Sequence, residues 1–372
     1  MTTALEGLKV LDFSTLLPGP FATLYLADLG ADVVHIESPI RPDLVRILPP
    51  YSQGQSTAHN YLNRNKQSVT LDLKDPNSIE MIKQKISEYD VLIEQFRPDV
   101  MLRLGLDYKT LAEINPRLIY CSITGYGQDG SYKDKAGHDI NYVALSGIAG
   151  HSGRADSGPP PMGIQIADVA GGSLHAVIGI LTAVIERQRS GLGQYIDISM
   201  TDCAVGLNNM AAAAVLAGSQ KQHAEKEHLN GGTFYDYYKT LDGRYLAIGS
   251  LEPQFMTGLS ATLDLPIIMQ KGASFDAEDR LAVKQAIQTK ISEKTFEQWR
   301  EIFAVLDYCV EPVLSLDEAL TSNLAKQRGW VVDVPVHAGA TETEPQLACP
   351  IKLSRSQSRY EFIGQALGAG EW

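Results

Sequence analysis

Four titratable side chains stand where proton chemistry can be done. In "AGHDINYVALSG" (136–147), His138 and Asp139 follow a glycine and precede an apolar run of helical spacing. Asp168 opens the apolar run "ADVAGGSLH", and Glu252 follows a strand-like run in "GSLEPQF". An imidazole that titrates near neutrality and carboxylates held at element ends are the groups of general acid–base catalysis. The same positions have plainer uses. Aspartate at a helix start is commonly an N-cap, glutamate before a proline suits a first helical turn, and a lone histidine is usually structural. Periodicity leaves both readings open.

The elements that must position these residues alternate. "LKVLDFS" (8–14) has strand composition, "FATLYLADLG" (21–30) has helical spacing closed by a glycine, and "ADVVHIES" (31–38) is a second strand. Further helices are predicted near 78–88 and 108–114, with strands at 90–96 and 117–125. This interleaving predicts an α/β fold with a Rossmann-like parallel sheet covered on both faces. A long apolar helix spans 169–189, a strand follows at 195–200, and an alanine-rich helix covers roughly 201–218. Residues 233–250 carry two strand-like runs around Asp242-Gly243, a hairpin signal, and helical patterns follow at about 253–263, 277–291 and 295–306. The division expected is a large domain over 1–200, a linker over 201–232 with its polar part at 219–230, a smaller α+β domain over 233–328, and a return to the large domain over 329–372. Two late strands, "VVDVPV" and "PIKLS", fit that return.

The opening β-α-β unit, with Glu37 ending its second strand, imitates a dinucleotide-binding fold. Its turn reads "STLLPGP" and lacks the glycines that let a pyrophosphate approach a helix N-terminus, which argues against NAD or FAD. Hydrophobic residues make up 44% of the 372 and charged residues 20%, ordinary for a globular chain. The net charge of −12 argues against nucleic acid, which needs a broad cationic face. No uninterrupted apolar stretch of ~18 residues and no signal-like N-terminus occur, so no membrane span and a cytoplasmic location are expected. Cys121, Cys203, Cys309 and Cys349 are widely spaced and show no metal-like pairing, so reduced thiols and no metal site are expected.

Taken in order along the chain, "LLPGPFATLYLADLGADVVHIE", "LDLK", "AGHDINYVALSG", "ADVAGGSLHAVIGILTAVIERQRSGLGQ" and "GGTFYDYYKTLDGRYLAIGSLEPQF" resemble the α-methylacyl-coenzyme A racemase branch of the family III coenzyme A transferases. The resemblance implies that His138 and Asp168 are the two proton-transfer residues, with Glu252 beside the histidine and Asp139 in the same motif. Inverting a carbon α to a thioester means removing a proton from one face and returning one to the other, so two acid/base groups must flank it. The enolate between them needs donors, which the backbone N–H groups of a helix starting near Asp139 would supply. Such a reaction requires no cofactor, coenzyme A being part of the acyl-CoA substrate.

The resemblance also implies a coenzyme A site formed by Leu71, Asp72, Leu73 and Lys74 with Arg103, and by Gly137 and Tyr142 of the histidine motif. Arg64, Lys66 and Arg97 add cations in the same stretches, although a solvated charged face would show the same pattern. Members of the family often carry arginine directly after the acid ending the second strand; here Ser38 stands there, with Arg41 or Arg46 as substitutes. The family fold is a Rossmann-like large domain, a smaller α+β domain and long linkers in an interlocked homodimer. The competing activities are a coenzyme A transferase, in which Asp168 attacks the thioester covalently, and a non-catalytic acyl-CoA binder. The presence of the complete acid–base set favours the racemase. Met162, Met200, Met210 and Met256 suit either a core or an acyl-chain lining.

Overall fold

The computed structural model describes residues 2–219 and 221–372, so Gln220 of the expected linker lies outside the described residues. Six strands, β1 (Lys9–Asp12), β2 (Asp32–Glu37), β5 (Lys66–Thr70), β6 (Val91–Glu94), β7 (Ile119–Thr124) and β8 (Tyr195–Ser199), form one sheet in the order β5-β2-β1-β6-β7-β8. Every pairing in it is parallel. A short ribbon, β3 (Tyr51–Ser52) with β4 (Gln55–Ser56), lies outside the sheet. All residues of β6 and β7 are buried, as the middle of a parallel sheet covered on both faces requires. The strand order reverses between β1 and β6, and a ligand cleft is expected at the carboxyl ends there.

Helix α1 (Pro18–Asp28) starts at this switch point. Pro18 and Pro20 carry no N–H, the Gly19 N–H donates to Gln95 Oε1 at 2.9 Å, and that of Phe21 donates to Leu17 O at 2.9 Å. Glu37 is likewise engaged: its carboxylate accepts from Arg46 Nε at 2.8 Å, Ser68 Oγ at 3.0 Å and the Asp43 N–H at 3.2 Å. Both features that a dinucleotide would use are thus satisfied within the protein.

The helices that follow are α2 (Thr57–Leu62), α3 (Pro76–Lys85), α4 (Val100–Leu104), α5 (Tyr108–Ile114) and α6 (Asp139–Leu145). The long apolar helix begins as a π-helical turn, Ala167–Ser173, and continues as α7 (Leu174–Ser190). By length and composition Ala167–Ser190 is able to cross a bilayer; here it packs on β7 and β8 and against α1. Helix α8 (Met200–Leu207) follows β8, and α9 (Asn209–Leu216) comes next.

The chain divides into two compact units. The first holds residues up to Ser146, Met162–Asn208 and Asn323–Trp372. Its late hairpin pairs β12 (Val331–Pro335) with β13 (Thr343–Leu347), so the second late strand lies earlier than the expected "PIKLS". The alternating burial of Thr343–Leu347 suits a strand facing the unit on one side, whereas 350 is a proline that has no N–H for a ladder. The second unit, Gly147–Pro161 with Asn209–Ser322, has an antiparallel sheet β11-β10-β9 made of β9 (Asp236–Lys239), β10 (Tyr245–Ile248) and β11 (Val310–Pro312). The hairpin turns at Gly243 with φ +83°, and Asp242 Oδ1 accepts from Thr240 Oγ1 at 2.6 Å and from the Phe296 N–H at 3.0 Å. Helices α10 (Pro253–Leu263), α11 (Ile267–Lys271), α12 (Ala277–Ile291) and α13 (Phe296–Phe303) close a core around Phe234, Leu259, Ile287 and Trp299.

The excursion 147–161, read from sequence as part of the large domain, belongs to this second unit. Arg154 donates to Asp236 with both Nη atoms at 2.7 Å and to Glu225 at 2.9 Å, and Glu225 also accepts the Ala155 N–H at 2.9 Å. Lys284 closes the network on Asp236 at 2.6 Å.

Candidate active site

His138 is the N-cap residue of α6: its backbone N–H donates to Asn141 Oδ1 at 3.0 Å and its carbonyl accepts the Asn141 N–H at 2.8 Å. The motif is therefore a cap, and its imidazole is nevertheless exposed. Asp139, the next residue, caps a different helix. Its Oδ1 accepts the backbone N–H groups of Ala167 at 2.6 Å and Asp168 at 3.0 Å, which fixes the first residues of the π-helical turn against α6. The N–H groups of Asp139 and Ile140 have no acceptor among the described residues, leaving two donors at the start of α6.

Asp168 sits in that π-helical turn, a distortion that often marks functional sites. The turn is held by Ser173 Oγ, which donates to Pro18 O at 2.7 Å, and by close packing: a Cβ on Gly172 would lie 3.0 Å from Met200 Cγ. Partial burial and the neighbouring Asp139 push the Asp168 pKa up to about 6, while His138 acts on it in the opposite direction. Two groups 30 residues apart in sequence thus lie within electrostatic reach of each other.

A cavity of about 420 Å³ opens at the carboxyl ends of β6 and β7, and His138, Gly137, Tyr142 and Arg97 all line it. Gly137 is dictated by its neighbours, since a Cβ would fall 2.6 Å from Tyr142 Cε1 and 2.7 Å from the Tyr126 hydroxyl. The Tyr142 hydroxyl donates to Gly137 O at 2.7 Å. Met200 lies at the same cavity, whereas Met256 is in the core of the second unit, and Met162 and Met210 are exposed. Lys133 and Lys135 also line the cavity and were not singled out from the sequence; their signal was two cations three and five residues before His138 in an acidic chain.

The other expected binding residues scatter. Leu71, Asp72, Leu73 and Lys74 follow the end of β5, and Arg103 is exposed on α4; none of these lines the His138 cavity. Arg64 and Lys66 require correction, because both are buried and used by the fold. Arg64 forks onto Asp28 at 2.9 and 2.5 Å and donates to Leu347 O at 2.7 Å, while Lys66 donates to Pro20 O at 2.9 Å and Asn63 Oδ1 at 3.0 Å. Neither is free to meet a phosphate. Of the substitutes for arginine at Ser38, Arg46 is tied to Glu37 and Gln365 O, and Arg41 is exposed. Glu252 is the N-cap residue of α10 in the second unit, exposed and without a side-chain cap bond.

Comparison with known proteins gives this arrangement its context. The mouse (Mus musculus) α-methylacyl-CoA racemase is 37% identical over 87% of this chain and 81% of its own length. The mouse succinyl-CoA:glutarate CoA-transferase is 32% identical over 89% of this chain and 76% of its own. A crystal structure of a CAIB/BAIF family protein from Brucella suis superposes with a TM-score of 0.85 at 29% identity, covering 99% of this chain and 97% of that one. A family model described as CoA-transferase family III matches residues 5–368, and the chain belongs to that family of enzymes.

Proposed function

We propose that this enzyme racemises or epimerises the α-carbon of 2-methylacyl-CoA thioesters by a two-base 1,1-proton transfer through an enolate. The observation that carries the reading is Asp168: a carboxyl raised to about 6 beside His138 is able to work as acid or as base near neutrality, as each direction of the reaction demands. A covalent nucleophile of a CoA transferase acts only when ionised and gains no such use from holding a proton. The similarity to a racemase in sequence supports the same choice. Asp139 is a positioning residue in this scheme, since it holds the backbone of Asp168, and the free N–H groups of Asp139 and Ile140 are the proposed donors to the enolate oxygen. Glu252 belongs to the set through the resemblance of its motif, and Arg103 with Leu71–Lys74 is proposed to hold the nucleotide of coenzyme A.

Because enolisation here uses side chains and backbone donors, activity is expected to survive exhaustive chelation. We further propose a homodimer, supported by apolar side chains exposed on α7, and a cytoplasmic location, with which four free thiols are compatible.

The test is deuterium uptake from each separate enantiomer of a 2-methylacyl-CoA. His138→Ala is expected to abolish racemisation while leaving slow exchange from one enantiomer through Asp168, and Asp168→Ala to leave the opposite preference. Symmetric exchange in both variants would refute the two-base assignment. A hydroxylamine-trappable acyl-enzyme that passes coenzyme A to a free acid would establish the transferase instead.

A further inference from the structure

Glu94 is a carboxyl group placed where an amide or apolar side chain would cost the fold less. It is 4% exposed, and the charge that acts on it, Asp197 on β8, has the same sign. The other titratable groups facing it are Tyr120 and Cys121 on β7 and Tyr195 on β8, all pushed up by burial and neutral. Among the described residues no cation offsets its charge.

Register sets its place. Glu94, Ser122 and Asp197 are partners across β6, β7 and β8, which puts their side chains in one row at the carboxyl end of the sheet. Asp197 Oδ2 accepts the Gln128 N–H at 3.0 Å. Ser122 hydrogen-bonds the Glu94 carboxyl and itself accepts from the Tyr195 hydroxyl at 3.1 Å. The remaining bond leads to the site: Glu94 Oε2 accepts the Phe96 N–H at 2.8 Å. The chain leaves the sheet at Glu94, so this N–H is satisfied by a side chain two residues back instead of a neighbouring strand.

Gln95, Phe96, Arg97 and Pro98, four consecutive residues, line the His138 cavity, whereas Glu94 does not. The segment is tied at both ends. Gln95 Oε1 accepts the Gly19 N–H at 2.9 Å, and beyond Pro98 the chain turns through Asp99 at φ +65°, with the Val100 N–H on Arg97 O at 3.2 Å. Between these ties, Glu94 supplies the bond that holds the middle.

We propose that Glu94 is a positioning residue for substrate binding, which by holding the Phe96 N–H fixes the Gln95–Pro98 wall of the His138 cavity against which the thioester lies. This rests on the acyl-CoA reading above and deepens it. His138 and Asp168 are placed separately, by α6 and by the π-helical turn, so loss of Glu94 bears on KM and not on kcat. The hold also responds to pH. An ionised carboxyl is a stronger acceptor than a neutral one, and burial pushes Glu94 up to about 7, so both forms are populated near neutrality.

The test compares wild type with Glu94→Gln, which keeps a neutral acceptor, and Glu94→Leu, which has none. Equilibrium dialysis and steady-state kinetics use a 2-methylacyl-CoA, with circular dichroism reporting the fold. At pH about 8, Glu94→Leu is expected to raise Kd and KM on the order of tenfold while kcat changes less than about twofold, and Glu94→Gln to raise Kd about threefold. At pH about 6 the wild-type carboxyl is protonated as well, so the ratio of the Glu94→Gln and wild-type Kd values is expected to fall to about one. Taking the ratio cancels the titration of His138, of Asp168 and of the substrate phosphates. A folded Glu94→Leu with wild-type Kd, or a ratio that does not change with pH, overturns the proposal; if Glu94→Leu does not fold, the ratio decides by itself. Amide hydrogen exchange without substrate is expected to be faster at Phe96 in Glu94→Leu than in Glu94→Gln. Dialysis and exchange need no turnover, so failure of the racemase reading would show as absent racemisation with these results intact.

Discussion

Asp168 illustrates how little of a site's chemistry is written in residue type alone. Its position before "VAGGSLH" reads as a helix start, and its proton affinity depends on burial and on Asp139, which reaches it across 29 residues of sequence. The raised pKa has a stability consequence. Below the ordinary value of 3.8 the carboxyl is protonated folded or unfolded; between there and about 6 the unfolded chain gives up its proton first; above about 6 the whole penalty is present. Wild-type stability therefore falls as pH rises through that window. Asp168→Asn is expected to be more stable than wild type by ~1–2 kcal/mol at pH about 8, allowing for solvent screening, and equal to it near pH 4, measured by urea denaturation. No pH dependence of the difference would show that the carboxyl is ordinary. Glu94 offers a control outside the proposed catalytic set: it is buried at the end of β6, accepts the Phe96 N–H at 2.8 Å, and is pushed up to about 7 by burial. Glu94→Gln keeps that acceptor and is expected to gain stability in the same direction, with the window displaced upward to between about 4.5 and about 7.

At the scale of elements, the alternation of strand and helix was enough to anticipate the parallel sheet, because a strand buried on both faces is mostly apolar, with any polar side chain such as Glu94 finding its partner inside. Which basic residues face solvent was not legible. Arg64 and Lys66 share a short polar stretch with no apolar neighbour to mark them as buried, and their partners Asp28, Pro20 and Leu347 are distant in sequence. Arg64 ties the end of α1 to β13, joining the late hairpin to the sheet. Arg64→Ala strands Asp28 without its guanidinium and is expected to cost ~3–5 kcal/mol in denaturant unfolding. Arg103, exposed on α4, gives the opposite pattern: Arg103→Ala is expected to change stability by no more than ~0.5 kcal/mol and to raise KM for a CoA thioester far above any change for its pantetheine counterpart. Equal effects on the two thioesters would make Arg103 structural, and a silent Arg64→Ala would reopen its role in binding.

For the whole molecule, the change of composition near 233 falls inside the second unit, which already holds the chain from Asn209, and the excursion 147–161 left no mark, because loop-like sequence says nothing of which unit holds it; three side chains around Arg154 do. Assembly is the property that the chain's own surfaces bear on most directly. Helix α7 buries Ala176, Val177, Ile180 and Ala183 within the first unit and leaves Ile178 60% and Ile185 63% exposed. Two isoleucines two turns apart on the outer face of this long helix are out of place in water, and a helix that carries polar residues outward would be the rule for a monomer. In a two-fold dimer each such side chain is buried twice, once per protomer. At the ~1.5 kcal/mol or more for burying an isoleucine, four of them amount to on the order of 6 kcal/mol, roughly four orders of magnitude in dissociation constant. Wild type is therefore expected to sediment at twice the chain mass at micromolar concentration, and Ile178→Glu/Ile185→Glu at the chain mass, with circular dichroism unchanged because neither side chain is in the core. If wild type sediments as a single chain, or the double variant stays paired, this face of α7 is not the interface. A monomeric variant that keeps full activity would further show that each chain holds a complete site.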